Sequence, residues 1–345
     1  MLTFYNEHHA QHRGHDGDRG DMALRRDTLE RAGLVLAELQ RRGLGEIVTP
    51  HRVPLVSLER VHSPRYLHFL RSAWSEWTAL DPGNAGKDAL PASWPIRTMR
   101  SDIEPDSFAG RLGLYSMDSA TPLMGGTWNA VKTGADCAIN AAHALRLGER
   151  GSFALTRPPG HHAGFDFFGG GCYLNNAALA AQHLLDDGLK RVAILDLDYH
   201  HGNGTQGIFY NRGEVLCISI HADPRAAYPY FVGHADETGD GGGHGHNINL
   251  PLAPGSDAQE WMAALETACI RLGMFAPEAL VVALGVNTAA AEPGGGFGLQ
   301  GADFLRIGER IAWLGLPTVF VLEGGQAGDV GINTVNVLEG FETAA

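Results

Sequence analysis

Residues 192–204 read Val192-Ala193-Ile194-Leu195-Asp196-Leu197-Asp198-Tyr199-His200-His201-Gly202-Asn203-Gly204. The unbroken apolar start predicts a strand buried on both faces, as in a parallel sheet. Carboxylates at the end of such a strand are costly unless something pairs with them. Asp198 and His200 are two apart, so in extended chain they face the same way. An oxygen and a nitrogen ligand together suit a divalent metal such as zinc. Asp196 is in phase with them and is placed to bind a second cation or to hold a histidine.

The same pattern recurs along the chain. Short apolar strands are expected at 153–156, 215–220, 280–284 and 318–322. Helices are expected at 28–42, 135–147, 174–186, 257–274, 302–314 and 333–341. Strands alternating with helices predict an α/β fold with a mostly parallel sheet covered on both faces. In such sheets ligands bind beyond the carboxyl ends of the strands. The polar residues obey that rule. Arg157 to His162, Asp198 to His201, His221 with Asp223, Asn287, and Glu323 to Gln326 each follow a strand. The glycines at 241–245 read as a connection into a strand at 247–250. Residues 81–106, rich in Pro, Gly, Asp and Ser, read as a long surface excursion. With no internal repeat and no linker, residues 1–345 are read as one domain.

Composition narrows the partners. The 345 residues are 44% apolar and 19% charged, with a formal charge of −13, so general disorder and a diffuse nucleic-acid-binding or membrane-binding face are not expected. No apolar run reaches the ~20 residues of a membrane helix. The start is not that of a signal peptide, and a cytoplasmic location is the expectation. Cys137, Cys172, Cys217 and Cys269 are far apart and read as reduced, buried thiols. His8, His9, His12 and His15 lie in a polar stretch and read as a solvated loop. The paired His161 and His162, on the rigid turn Arg157-Pro158-Pro159-Gly160, suit general acid–base work. A carboxylate such as Asp196 would fix the tautomer of one of them.

With these residues in view, the chain resembles the histone deacetylase superfamily and, within it, the acetylpolyamine amidohydrolases. The likeness runs from Phe4 to Phe341. It is most specific at 157–163, at Cys172-Tyr173-Leu174-Asn175-Asn176, at 196–206, at 281–288 and at Glu323-Gly324-Gly325. It implies an arginase/deacetylase-like fold and amide hydrolysis at a mononuclear zinc, with His161 and His162 as the acid–base pair. It makes Asp198 and His200 zinc ligands, and Asp196 the partner of the first histidine and a contact of a structural potassium. It makes Asn203 the partner of the second histidine and Ser219 another potassium contact. It also implies a small acylated-amine substrate and a homodimer built around the 81–106 excursion.

The departures from the family's pattern gather in the pocket. The third zinc ligand, an aspartate in the family, is Asn287. The tyrosine that polarises the scissile carbonyl is Gln326. Beside Gly170, Gly171 stands where the substrate tunnel has an aromatic wall, and Tyr228 remains as the opposite wall. Two acidic positions that read a cationic substrate fall at Ala109 and Ala120, with Asp16, Asp18 or Asp118 as substitutes. Glu292 follows Asn287 closely, but the resemblance sets it where the family has an aspartate that does not ligate the metal, so it is not expected to replace the lost charge. Three readings stay open on this sequence: an amidohydrolase with a weakened metal, a pocket repurposed for other chemistry, and a non-catalytic homologue that binds an acyl or amine ligand.

Overall fold

In the computed structural model the described residues are 1–13, 29–96, 98–292, 296–326 and 328–344. Eight strands form one sheet: β1 (Leu2–Phe4), β2 (Glu46–Val48), β3 (Gly151–Ala154), β4 (Val192–Asp196), β5 (Val215–Ala222), β6 (Asn247–Leu252), β7 (Ala279–Leu284) and β8 (Thr318–Leu322). Their order is β2-β1-β3-β8-β7-β4-β5-β6, and every neighbouring pair is parallel. The α-helices are α1 (Leu29–Arg42), α2 (Leu55–Leu58), α3 (Pro64–Leu80), α4 (Phe108–Leu114), α5 (Thr127–Arg146), α6 (Asn176–Asp186), α7 (Asn203–Phe209), α8 (Ala258–Phe275), α9 (Gly301–Ala312) and α10 (Val330–Thr343).

Alternation along each strand builds two cores. Val192 and Ile194 of β4 pack with α3, α5 and α6 on one face, through residues such as Phe69, Val131 and Leu179. Ala193 and Leu195 pack with α1, α8, α9 and α10 on the other, through Leu39, Trp261, Phe304 and Leu338. This double burial is the physical reason the strands read as unbroken apolar runs. The strands that carry the polar ends, β3, β8, β7, β4 and β5, are contiguous in the sheet. Their carboxyl ends therefore meet along one edge.

Several boundaries differ from expectation. Helix α5 begins at Thr127 rather than 135, because Ala130, Val131 and Gly134 continue its buried face. Helix α3 went unpredicted, although Ser63 caps it by accepting the Tyr66 N–H and Pro64 opens it. The short strands β1 and β2 were also missed, since three residues carry no legible period. The 81–106 excursion holds a 3-10 turn at Pro82–Gly86 and a bridge from Ala89 to Leu123. Thr28, His15, Asp16 and Asp18 lie outside the described residues.

The solvated-loop reading of the N-terminal histidines is corrected. His8 is exposed, but His9 and His12 are buried. The Arg157 guanidinium donates to the backbone carbonyls of both, at 2.8 and 3.1 Å. A buried cation on the β3 loop needs acceptors, and this segment supplies them. The four cysteines are buried and in no disulfide, as expected. No described helix is long and apolar enough to cross a membrane.

Candidate active site

The β3 and β4 ends bring the two histidines onto their partners. His161 Nδ1 lies 2.9 Å from Asp196 Oδ2, and His162 Nδ1 lies 2.7 Å from Asn203 Oδ1. Both acceptors are oxygens, so each Nδ1 carries the proton. The Nε2 of His162 is then a free base site, and the two rings are 4.0 Å apart. The Nε2 of His161 is 3.9 Å from Asp198 Oδ1. Burial opposes charge on His161, but the nearby Asp196 and Asp198 carboxylates outweigh it and raise the imidazole to about 10. Burial and the neighbouring His161 and His200 push His162 well below its usual value. The pair is thus split into a charged and a neutral imidazole, as acid and base roles require.

Asp198 is enclosed by donors. Its Oδ1 accepts the His200 N–H at 2.9 Å and the Asn287 Nδ2 at 2.8 Å, and its Oδ2 accepts the Gly324 N–H at 2.8 Å. His200 Nδ1 stands 3.5 Å from the same Oδ1. Burial disfavours the Asp198 charge, but His161, His200 and Asn287 together hold its carboxyl well below the usual range. Asn287 is thus beside Asp198, as the sequence predicted.

The orientation of Asn287 decides what the site can bind. Its Oδ1 accepts the Tyr199 N–H at 2.8 Å. A backbone N–H can only donate, so the amide oxygen must face it and the NH₂ must face Asp198. Turning the amide over would set donor against donor in a buried site, at a cost of about 1–3 kcal/mol. Asp198 and His200 are suited to zinc, which takes carboxylate oxygen and imidazole nitrogen. Asn287 presents a donor where a third ligand atom is needed, so this residue set does not fit a three-ligand zinc site.

The remaining candidates divide. Asp196 and Ser219, paired in register on β4 and β5, line one small cavity with His201 and Asn247. The Ser219 hydroxyl lies 2.8 Å from His221 Nδ1 and 3.2 Å from His201 Nδ1. His221 Nε2 faces the Gly233 carbonyl at 2.8 Å and must donate there, so its Nδ1 accepts the serine proton. Gln326 is half-buried beyond β8. Its backbone N–H reaches the Glu292 carboxylate at 3.1 and 3.2 Å, so Glu292 engages the β8 loop.

The rim is built around Asp118. Its Oδ2 accepts the Gly170 N–H at 2.6 Å and the Tyr228 hydroxyl at 2.9 Å. Its Oδ1 accepts the N–H groups of Ala120 and Thr121, both at 2.9 Å. These bonds hold the Tyr228 ring edge-on to His162, with centroids 5.0 Å apart. Asp118 therefore positions the rim. Gly170 has φ +59°, and a Cβ there would fall on the His162 ring. Gly171 has φ +76° and nothing within 4 Å of where a Cβ would stand, so this side of the pocket is open.

Sequence reading quoted Glu323 only as part of a motif. It is fully buried, and its Oε2 accepts the N–H groups of Gly160 and His161 at 2.6 and 3.1 Å. Burial raises its carboxyl to about 7 against the pull of His161. The available signal was an acid ending an apolar strand, as at Asp196. Gly324 is required by close approach, because a Cβ there would strike Asp198 and Asn287. Gly324→Ala should destabilise the chain by about 1–3 kcal/mol, read as a lower urea midpoint with an unchanged slope. An unchanged midpoint would contradict this packing.

The histone deacetylase domain matches residues 26–335, which sets the class as a deacetylase-type amidohydrolase. The chain is 50% identical over 349 residues to acetylpolyamine amidohydrolase 1 of Pseudomonas aeruginosa, covering 100% of both. It is 43% identical over 311 residues to the acetylpolyamine amidohydrolase of Mycoplana ramosa, covering 90% of each. The crystal structure of acetylpolyamine aminohydrolase from Burkholderia pseudomallei superposes with a TM-score of 0.93 at 36% identity, over 100% of this chain and 99% of that one. The chain thus belongs to the histone deacetylase family, in its acetylpolyamine amidohydrolase branch.

Proposed function

We propose that this chain takes a small N-acylated amine into the pocket and hydrolyses its amide only slowly, because Asn287 and Gln326 replace a metal ligand and a carbonyl-polarising group. The observation that carries the reading is the pairing of His161 with Asp196 and of His162 with Asn203 beside Asp198. His162, neutral with its Nε2 free, accepts a proton from the attacking water. His161, charged between two carboxylates, supplies one to the departing amine. Gly170, Gly171 and Tyr228 form the walls that receive the substrate. Asp196 and Ser219 would hold a structural potassium, a role supported by the cavity they share. A cytoplasmic homodimer of one-domain chains, without nucleic-acid or membrane partners, completes the proposal.

The orientation of Asn287 favours a second reading, a binding protein without turnover. Incubation with acetylputrescine, with amine release followed by chromatography, separates the two. Slow release that is lost in His162→Ala supports the proposal. Release insensitive to His162→Ala overturns it. Calorimetric binding with no release establishes the second reading instead.

A further inference from the structure

A second group of ligand atoms lies at the opposite edge of the sheet. His143 is in the last turn of α5, His183 is in the last turn of α6, and Asp187 caps the C-terminus of α6. Helix α6 runs on to the start of β4, whereas the pocket lies beyond the carboxyl end of β4. One strand of this length separates the two places by about 15 Å. The donor atoms of His143, His183 and Asp187 all lie within 4.8 Å of one another.

We propose that His143, His183 and Asp187 form a surface zinc site, with a water in the fourth position. Asp187 Oδ2 is 3.5 Å from His143 Nδ1 and 3.4 Å from His183 Nε2. Ligands about 2.0–2.1 Å from a tetrahedral zinc stand about 3.4 Å apart, so two edges of the tetrahedron are already in place. His183 Nε2 is buried and makes no hydrogen bond, although the carboxylate is beside it. At 3.4 Å from Asp187 Oδ2 the nitrogen is too far for a strong hydrogen bond, and a zinc ion between the two would satisfy both atoms.

The frame is rigid. Helices α5 and α6 share a packed seam that includes Ala138, Ala142, Ala178 and Ala181. Arg146 of α5 donates to the Asp187 carbonyl at 3.2 Å, which ties the two helix ends together. The neighbouring Asp186 is engaged by Arg60 at 3.0 Å and by Gln182 at 2.8 Å, which leaves Asp187 as the carboxylate of the site. An ion here would staple α5 to α6, and its open position would accept a donor from another molecule.

The test is calorimetric titration of the metal-stripped full chain with zinc chloride. Wild type should bind, and His143→Ala and Asp187→Asn should each weaken binding at least ~10-fold, since even the outer partners of metal ligands are worth about 10–100-fold. Asp198→Ala, in the pocket, should leave this binding in place. Zinc should raise the melting temperature of wild type and not of His143→Ala, which separates lost ligation from lost folding. Absence of binding by wild type, or binding unaffected by His143→Ala and Asp187→Asn, overturns the site.

Discussion

Asn287→Asp should raise the zinc affinity of the pocket at least ~10²-fold, beyond the range of effects from outer partners of metal ligands. The reason is local. Asn287 uses its oxygen on the Tyr199 N–H and turns its NH₂ to Asp198, both at 2.8 Å. An aspartate keeps the first bond and offers its second oxygen to the cation. Without metal the same change sets two buried carboxylates against each other, and such pairs resist joint ionisation. The metal-free variant should therefore melt below wild type, and zinc should reverse the order. The titration belongs in a His143→Ala background, so that only the pocket is read. Equal or tighter zinc binding by the Asn287 chain would defeat the argument.

Asn287→Asp together with Gln326→Tyr should speed deacetylation of acetylputrescine at least ~10²-fold over either single variant, the size of one oxyanion donor. The gains should exceed additivity, because the carbonyl donor and the metal act on one bond. His162→Ala in that background should abolish the gain, since the base with its Nδ1 on Asn203 would be gone. Steady-state rates at saturating zinc of wild type, the two single variants, the double variant and its His162→Ala derivative check all of this. A double variant that loads zinc fully and stays inert would place the cause elsewhere, and the open side at Gly171 is the first candidate.

Much of the fold was legible. The core strands carry unbroken apolar runs because both faces are covered, and β4, β5, β7 and β8 were read close to their observed bounds. What escaped was short or capped by single residues, such as β1, β2 and helix α3. The N-terminal histidines misled because their polarity suggested solvent, while the buried Arg157 draws His9 and His12 inward through their carbonyls.

The candidate site divides in the same way. By itself the sequence determined which residues stand at the five strand ends, because a parallel sheet carries all those ends to one edge. It also placed an amide, Asn287, at one of those ends. Which end of that amide faces Asp198 was decided only in three dimensions, by the Tyr199 N–H, a backbone group with no sequence signature. The same holds for Asp118, a candidate substrate-reading acid whose oxygens are taken by backbone N–H groups and the Tyr228 hydroxyl. The His143, His183 and Asp187 cluster joins two helix ends 40 residues apart in the chain. Spacing within one element is written in the sequence, but the meeting of two elements depends on how they pack.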